Sequence, residues 1–214
     1  MLVRLVRRHL LRPREGWRTV RALSAYRHAQ ETLRDEAAAD VGAAQIARAC
    51  ERTNIDRAAL VECVERWMER EPLPILHRFR HPGLIEFLNA CRARGLRLAA
   101  VSDYPAEAKL RALSIAQYFE LALSAQSPEI GVFKPNPRGL LVALHRLGVT
   151  REQSIYVGDR AEVDAAAAAA AGIPSIIVGS RAAGTSGACT TVSGYPQLQA
   201  LLFGRPEVER PVAA

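Results

Sequence analysis

The first third of the chain places its apolar residues at the spacing of an α-helix. Residues 18–34 and 46–50 have helix-forming composition. In residues 55–68 one helical face, with a period of about 3.6 residues, carries Leu60, Val61, Val64 and Trp67. We therefore expect the chain to be helical up to about Leu76.

Beyond Leu76, short continuous apolar runs alternate with helical segments. The runs, which predict strands, are residues 96–101, 121–124, 154–157 and 175–178, and the last of these is expected to be the final strand. The helical segments are residues 82–94, 106–113, 137–147 and 161–171, and three of them stop at Gly95, Gly148 and Gly172. Strands that are apolar throughout and alternate with helices indicate parallel βαβ units, in which helices cover both faces of the sheet.

The segment Glu71-Pro72-Leu73-Pro74 separates the two patterns. Proline interrupts a helix, so we expect a linker here between a helical region, residues 1–72, and an α/β region, residues 73–203. Residues 204–214 are rich in Pro and Glu and are predicted to form a loose tail.

The composition is that of a globular protein, with 49% hydrophobic and 24% charged residues. No apolar stretch approaches the roughly eighteen residues that span a bilayer, and Arg residues interrupt any signal-peptide core in residues 1–14. These features predict a cytoplasmic protein with no membrane partner. The cysteines have no metal-site spacing and are expected to be small buried apolar side chains: Cys50, Cys63, Cys91 and Cys189.

The net charge of +7 is almost entirely due to arginine, because only Lys109 and Lys134 among the 29 basic residues are lysine. The densest basic stretch, residues 4–21, could attract nucleic acid or anionic lipid. A solvated helical face explains it better, since no basic motif interleaved with aromatic residues accompanies it. We therefore expect no nucleic-acid partner.

Polar residues follow two of the predicted strands in ways that suit a phosphate. The hydroxyl of Ser102, with the turn at Asp103, could hold a phosphoryl oxygen, although a Ser here is also a common cap or turn former. Lys134 stands in the segment Phe133-Lys134-Pro135-Asn136-Pro137, where two prolines stiffen the loop. Its compact charge suits a phosphate or a carboxylate, although such a loop is also an ordinary surface feature.

A third strand end carries two carboxylates. Asp159 ends the predicted strand, Gly158 permits a sharp exit, and Asp164 follows in the first turn of an Ala-rich helix. Mg²⁺ takes one or two carboxylates together with water and substrate oxygens, so this pair could bind it. The alternative is that Asp164 serves the helix N-terminus electrostatically. Because parallel strands end on one edge of a sheet, we expect Ser102, Lys134 and Asp159 to share one cleft.

In this order, Ser102, Lys134 and the segment Gly158-Asp159…Asp164 resemble motifs two, three and four of the haloacid dehalogenase (HAD) superfamily, over residues 73–202. The Val-Gly-Asp-Arg and Phe-Lys-Pro-x-Pro forms are similar to those of its small-molecule phosphatases. The resemblance implies a doubly wound, parallel, Rossmann-like α/β core, with the N-terminal helices as a cap. It implies that Ser102 and its neighbour Asp103 bind phosphate and that Lys134 steadies the phosphate and the nucleophile. Asp159 would ligate Mg²⁺, and Asp164 would ligate it or order its shell.

The first motif of that superfamily, an apolar strand ending in Asp-x-Asp-Gly-Thr, does not occur in the sequence. Its first Asp is the nucleophile and its second the general acid–base. No two aspartates are two positions apart among Asp35, Asp40, Asp56, Asp103, Asp159 and Asp164. The resemblance implies that the central first strand is absent and that its neighbours expose unpaired edges. Three explanations stay open: a true start upstream of Met1, a decaying fragment, or a non-catalytic relative that fills the gap differently.

The resemblance implies a Mg²⁺-dependent phosphatase that acts on a small phosphorylated metabolite through a phospho-aspartyl intermediate. As this sequence stands, we expect no activity, because the nucleophile is missing. The alternative is a pseudoenzyme that binds a ligand or a protein partner. A haloalkanoate dehalogenase is disfavoured, because Asp159 and Asp164 suit a metal which that chemistry does not use.

Overall fold

The N-terminal part of the protein is helical in the computed structural model, which describes residues 13–36, 38–179 and 189–204. Helix α1 spans Pro13–Asp35, α2 spans Val41–Thr53 and α3 spans Arg57–Val64. Acidic side chains cap two of these helices: Asp40 accepts from the N–H of Ala43, and Asp56 accepts from those of Ala58 and Ala59. The helical prediction for this region is therefore confirmed.

The predicted linker at residues 71–74 is not an extended connection. A π-helical segment, Glu65–Arg70, continues from α3, and a 3₁₀-helix, Leu73–Phe79, follows after a short turn. Pro72 immediately precedes the 3₁₀-helix and Pro74 lies in its first turn, where a missing N–H costs little. The prolines therefore change the type of helix here rather than end helical structure.

The remainder alternates helices and strands as predicted. The strands are β1 (Ala99–Ser102), β2 (Leu121–Ser124), β3 (Tyr156–Gly158), β4 (Ser175–Val178) and β5 (Cys189–Val192). The helices are α4 (Leu84–Ala93), α5 (Glu107–Ala112), α6 (Arg138–Leu147), α7 (Ala166–Ala171) and α8 (Tyr195–Phe203), with a 3₁₀-turn at Ala116–Tyr118 and a π-helical turn at Ala161–Ala165. Gly148 and Gly172 end α6 and α7 in the left-handed conformation, as the pattern indicated.

The prediction that residues 175–178 form the final strand is wrong, because β5 and α8 follow. Strand β5 has the sequence Cys-Thr-Thr-Val, which lacks the continuous apolar run of the other strands. Its β-branched threonines favour a strand nonetheless. The predicted loose tail, residues 204–214, lies outside the described residues except for Gly204.

All of the described strand pairs are parallel, and they form two separate sheets. In the first, β1 pairs with β2, and Ser102 lies opposite Ser124. In the second the order is β3-β4-β5. Strand β4, which is paired on both sides, is buried at every position, whereas β1 and β3 are half-buried throughout. The described residues thus form a parallel α/β fold whose sheet is divided between β1 and β3.

The helical region and the α/β region share apolar cores. Leu33 and Val41 pack in one buried cluster with Leu123, Ile130 and Phe133. In a second cluster, the ring of Tyr104 packs against the helices α1, α2 and α3. The boundary between residues 72 and 73 stays a prediction.

Two smaller expectations concern exposure. None of the four cysteines, all of which lie in the described ranges, forms a disulfide. Only Cys91 is buried, and Cys50, Cys63 and Cys189 are half-buried, so the expectation of burial holds for one of them. Among the described residues, no helix is both long enough and apolar enough to cross a membrane.

Candidate active site

Lys134 is held between two other polar side chains near the end of β3. Its Nζ atom donates to Oδ1 of Asp164 at 2.7 Å and to the hydroxyl oxygen of Tyr156 at 3.2 Å. The Tyr156 hydroxyl in turn donates to the same Asp164 oxygen at 2.9 Å. Phe133, buried at 2% exposure, fixes the loop immediately before the lysine. An ammonium has three N–H donors, so the geometry leaves one of them for a ligand.

Asp164 also fixes the turn that follows β3. Its Oδ2 atom accepts the backbone N–H groups of Asp159 at 3.1 Å and Arg160 at 3.0 Å. A Cβ atom at Gly158 would lie 2.4 Å from the Cβ of Asp164, which is too close for any other residue. Glycine at this position is therefore required by the close approach of the Asp164 side chain, which is 4% exposed.

The charges in this cluster stabilise one another. Burial alone would raise the pKa of the Asp164 carboxyl, but the Lys134 charge and the two backbone N–H groups hold it at about 2. Burial likewise would lower the pKa of Lys134, and the oxygens of Tyr156, Asp164 and Asp103 instead raise it above its usual range. The pair is thus ionised over the whole physiological pH range.

Asp159 lies beside this pair and is exposed to solvent. Its partial burial, and then the neighbouring Asp164 carboxylate, raise its pKa, while Lys134 only partly offsets the effect. A cation next to Asp159 would relieve this repulsion between like charges. Its assignment as a metal ligand stays a prediction.

The cluster can accommodate a Mg²⁺ ion, although with few protein ligands. Both Asp164 oxygens already accept two hydrogen bonds each, so this carboxylate is suited to order the site and not to bind the metal directly. Asp159 is the carboxylate left for the ion. Within the described ranges no group of three or more acidic, histidine or cysteine side chains could hold a metal. Mg²⁺ tolerates such a site, because waters and substrate oxygens complete its shell.

Ser102 is the last residue of β1, and its hydroxyl group can donate a hydrogen bond to a ligand. The Oγ atom accepts the backbone N–H of Tyr104 at 3.2 Å, which leaves the hydroxyl proton to donate. The adjacent Asp103 is one of the groups whose charge helps to raise the pKa of Lys134, after burial, which lowers it, and the effects of Tyr156 and Asp164. The structure joins Lys134 to Asp164 by a hydrogen bond and joins the Asp159 backbone to the same carboxylate. That Ser102 shares one cleft with Lys134 and Asp159 stays a prediction.

Asp103 is engaged with the helical region. Its Oδ2 atom accepts from Nε2 of Gln30 at 2.9 Å and forms a short ion pair with the Arg34 guanidinium. The side chains of Arg34 and Asp103 are only 5% and 12% exposed. Asp103 therefore ties α1 to the end of β1, and its predicted part in substrate binding stays a prediction.

A buried polar network continues from Asp103 and was not foreseen from the sequence. The Tyr104 hydroxyl donates to Oε1 of Gln30 at 2.5 Å. Further along, Nε2 of Gln126 donates to the Tyr26 hydroxyl at 2.7 Å and to Oε1 of Gln45 at 2.9 Å. Tyr26 is 3% exposed. The one available signal was Gln45, a polar residue in an otherwise apolar stretch.

Tyr156 is the other residue that sequence reasoning missed. It is the first residue of strand β3 and directly precedes the apolar Val157. Tyr156 is partly buried and packs against the apolar cluster that contains Leu140. A tyrosine in a strand of otherwise apolar residues signals a hydroxyl that needs a partner, here Lys134 and Asp164.

A cleft of about 470 Å³ opens beside the end of β2 and does not include the Lys134 cluster. It lies between the start of α2 and the loop after β2, and its lining residues are Asp40, Gly42, Ala43, Arg57, Pro105, Ser124, Gln126 and Ser127. The ionisable groups whose pKa values are most perturbed by pairing are in the Lys134 cluster and not in this cleft.

Comparison with known proteins agrees with the fold and the motif order. A model of the haloacid dehalogenase-like hydrolases matches residues 9–172, which is well over half of the chain. The chain belongs to this family of hydrolases.

Individual relatives cover less of the chain. Phosphoglycolate phosphatase from Salmonella paratyphi A (strain ATCC 9150 / SARB42) is 38% identical over 101 residues, which are 46% of this chain and 39% of that protein. The match thus spans less than half the length of this curated relative.

Solved structures support the same fold. A HAD-superfamily hydrolase of subfamily IA, variant 1, from Geobacter sulfurreducens PCA is 25% identical with a TM-score of 0.51, and the match covers 68% of this chain and 66% of that one. A dehalogenase has a TM-score of 0.61 over 85% of this chain and 83% of that one, at 20% identity. At that identity the likeness shows the fold alone.

Proposed function

We propose that the protein provides the phosphoryl-binding and metal-binding parts of a Mg²⁺-dependent phosphatase site for a small phosphorylated metabolite. The observation that carries the proposal is the position of Lys134. Two of its three donors are engaged by Asp164 and Tyr156, so the ammonium is held in place and one donor remains for a ligand. A pre-oriented ammonium of this kind stabilises phosphoryl charge without reorganisation.

The residues have separate roles in this proposal. The Ser102 hydroxyl donates to a phosphoryl oxygen, Lys134 offsets the charge of the same group, and Asp159 ligates the metal. Bound Mg²⁺ would polarise a phosphoryl oxygen and offset its charge. Asp164 acts through the other groups, because it positions Lys134 and the turn that carries Asp159.

The class of substrate follows from the relatives. Proteins named phosphoglycolate phosphatase share up to 38% identity with part of this chain, so a small phosphorylated carboxylate such as phosphoglycolate is the first compound to test. A dehalogenase is the weaker alternative, since its chemistry uses no metal and so gives no role to the carboxylates of Asp159 and Asp164.

We further propose that this sequence alone does not hydrolyse the substrate. No aspartate stands in an Asp-x-Asp pair. Asp103 is paired with Arg34, and Asp164 is buried beneath Lys134. Asp159 is the carboxylate that the proposal assigns to the metal, so none of the three is left to accept a phosphoryl group. The same site would bind a phosphorylated ligand without turnover, as a pseudoenzyme does.

Binding of phosphoglycolate in the presence of Mg²⁺, measured by isothermal titration calorimetry, tests the proposal with two matched pairs of variants. Ser124 is a matched control for Ser102, because the two residues lie opposite each other in the pair of strands β1 and β2. The Oγ atom of each accepts a backbone N–H at 3.2 Å from the residue two positions later in the chain. We expect Ser102→Ala to weaken binding roughly tenfold, as loss of a hydrogen bond to a charged group does, and Ser124→Ala to leave it unchanged.

The second pair uses the only two lysines of the chain. Lys134→Met should abolish measurable binding, and Lys109→Met should not. Circular dichroism establishes first that both variants are folded. If Lys134→Met is not folded, Lys134→Arg replaces it in the binding measurement. If Ser124→Ala weakens binding as much as Ser102→Ala, the ligand lies in the cleft beside β2 and the proposed site is wrong.

Turnover is measured separately as release of inorganic phosphate from phosphoglycolate. We expect no release above background from the purified protein. Release that disappears in Asp159→Ala would contradict the proposal that the sequence alone is inactive, while leaving the binding site itself supported.

A further inference from the structure

The first half of helix α1 exposes an apolar strip beside a basic one. Trp17 is 62% exposed and Val20 is 39% exposed, and the two residues are neighbours on the helix because they are three positions apart. Arg18 and Arg21 have the same spacing and are also exposed. We call these four residues the Trp17 patch. Single apolar residues are ordinary at a surface, but two adjacent ones beside two arginines form a patch that calls for a partner.

The opposite face of α1 fixes the Trp17 patch at the surface. Gly16 and Thr19 are buried there, and Ala22 and Ala25 belong to the apolar cluster that joins α1 to the helices α2 and α3. Rotation of α1 that turned Trp17 inward would break this core. Arg21 contacts the backbone carbonyl of Arg52 at 3.5 Å, an interaction that does not neutralise its charge. The patch is therefore a permanent part of the outer surface.

The net charge of the protein is concentrated in the same stretch of the chain. Residues 1–30 contain eight arginines and one acidic residue, Glu15. Residues 31–214 contain 21 basic and 21 acidic residues, so their formal net charge is zero. The whole charge of +7 therefore arises from residues 1–30. Such an asymmetry indicates a polyanionic partner for this one stretch of the chain.

The apolar side chains distinguish between the possible polyanions. The phosphates of a nucleic acid would attract the arginines, but a nucleic acid offers no apolar medium to an aliphatic side chain such as Val20. In residues 1–12, too, arginines alternate with leucine and valine. An anionic lipid surface offers both headgroup charge and hydrocarbon, and the indole of tryptophan favours the boundary between them. Arginine stems also lie along apolar surface while their charged ends stay at the headgroups.

We propose that the Trp17 patch binds an anionic lipid surface, with α1 parallel to the membrane plane and with Trp17 and Val20 inserted at the headgroup boundary. Such attachment is peripheral and requires no membrane-spanning helix. It replaces the expectation that the protein has no membrane partner, because a solvated helical face explains the arginines but not the exposed Trp17 and Val20. The proposal does not rest on the proposed function, since the patch shares no residue with the Lys134 cluster.

The first experiment measures binding of the full chain to vesicles by sedimentation. The vesicles contain either phosphatidylcholine alone or equal parts of phosphatidylcholine and phosphatidylglycerol. We expect binding to the anionic vesicles to be about tenfold tighter or more, and to weaken as salt is added, because salt screens the arginine charges. Equal binding to both kinds of vesicle, or no binding to the anionic ones at low salt, would overturn the proposal.

Tryptophan fluorescence reports the position of α1 on the vesicle and needs no variant for the main observation. The chain has two tryptophans, Trp17 and Trp67, and Trp67 is 4% exposed. On binding, the emission should shift to shorter wavelength and should be quenched by brominated lipid. Both changes should be absent in Trp17→Phe, which keeps an aromatic ring for insertion. Binding of the wild-type chain without a shift would contradict the proposal, because Trp17 would then remain in water.

A pair of double variants tests the basic strip. Arg18→Gln combined with Arg21→Gln should weaken binding to anionic vesicles about thirtyfold, since each arginine near such a surface contributes about 1 kcal/mol. Arg57→Gln combined with Arg138→Gln removes the same charge from two other exposed positions and should leave the affinity nearly unchanged. Equal losses in the two double variants would mean that only the net charge matters, and the Trp17 patch would not be the binding surface.

A pair of single variants tests the apolar strip. Trp17→Ala should weaken binding about tenfold through the lost apolar area. The control is Phe79→Ala, because Phe79 is 72% exposed and also stands between two arginines, but outside residues 1–30. An equal loss in Phe79→Ala would assign the lipid contact to another surface.

Duplex DNA provides the competing polyanion. Its binding is followed by anisotropy of a labelled duplex at the same salt concentration, and we expect DNA binding to be insensitive to Trp17→Ala. DNA that displaces the protein from anionic vesicles, and that loses affinity in Trp17→Ala as the vesicles do, would identify the Trp17 patch as a nucleic-acid site and overturn the proposal.

Discussion

Asp103 and Asp159 both follow an apolar strand, and both are followed by a turn into a helix, but their carboxylates have opposite surroundings. The Asp103 side chain is 12% exposed and is paired with Arg34 and Gln30 of the helical region. Asp159 is exposed; its partial burial and then the neighbouring Asp164 carboxylate raise its pKa, and Lys134 only partly offsets the effect. A cation from α1 therefore reaches one strand end and is absent from the other.

The comparison separates two uses of the same local pattern. At Asp103 the charge is neutralised within the protein, so the residue stabilises the contact between the two regions. At Asp159 the nearby Lys134 only partly offsets the repulsion from Asp164, and we propose that the residue binds a cation from solution. Distant partners, and not the local sequence, decide which strand end is available for a ligand.

The largest effect on stability that we expect comes from Asp164→Ala, which removes the carboxylate that holds Lys134 and the turn carrying Asp159. Lys134, whose side chain is 15% exposed, would lose its counter-charge, and the turn after β3 would lose two hydrogen bonds. The free energy of unfolding from urea denaturation should fall by about 4 kcal/mol. Glu162→Ala, an exposed acidic residue in the same turn, should change it by less than about 0.5 kcal/mol. Similar losses in both variants would show that the turn, and not the ion pair, is responsible.

A second variant breaks the ion pair between Asp103 and Arg34. Asp103→Asn keeps an acceptor for Gln30 but leaves the buried Arg34 with only Glu31, whose side chain is 57% exposed, as a counter-charge. We expect a loss of about 3 kcal/mol in unfolding free energy, at the lower end of the range for a broken buried pair. Asp35→Asn, exposed next to Arg34, is the matched control and should have little effect. A loss below about 1 kcal/mol would mean that Arg34 is stabilised by Glu31 alone.

These two strand ends also show how far the sequence could predict the structure. The apolar runs at residues 121–124 and 175–178 predicted β2 and β4 to the residue, because a continuous apolar run is typical of a strand covered on both faces. Strand β5 was missed, because its Cys-Thr-Thr-Val sequence does not form such a run.

The candidate site could be predicted only in part, for a similar reason. Lys134, Asp159 and Asp164 were noticed through strand ends and spacing, which are local features. The partners that set their charge were not: Tyr156 contributes a hydroxyl from inside a strand, and Arg34 lies 69 positions before Asp103. Pairing over such distances depends on how the helices pack, which no local pattern contains.

The unfolding free energy measured as a function of acidic pH should show the contribution of Asp164, the carboxylate beside Asp159. Its pKa in the folded protein is about 2, below the ordinary value of about 4 in an unfolded chain. A lowered pKa contributes stability that is present above the unfolded value and is lost as the pH falls through the folded value. We therefore expect about 2 kcal/mol of unfolding free energy to disappear between about pH 4 and pH 2. The same measurement on Asp164→Asn should lack this part of the acid transition, and an unchanged profile would contradict the assignment.

The smallest effect on stability, and the sharpest test of the comparison, belongs to Asp159→Asn. Ionised Asp159 is opposed by Asp164, so removing its charge should leave stability unchanged or raise it by less than about 1 kcal/mol, because the side chain is exposed and its interactions are screened. The same change removes the carboxylate that we assign to the metal, so thermal stabilisation by added Mg²⁺ should be largely lost. Glu162→Gln removes one negative charge from the same turn and controls for a general effect of charge on Mg²⁺ binding. If Asp159→Asn retains the full Mg²⁺ shift, or if it destabilises the protein as Asp103→Asn does, then Asp159 is a structural partner like Asp103. The two strand ends would then differ in exposure only.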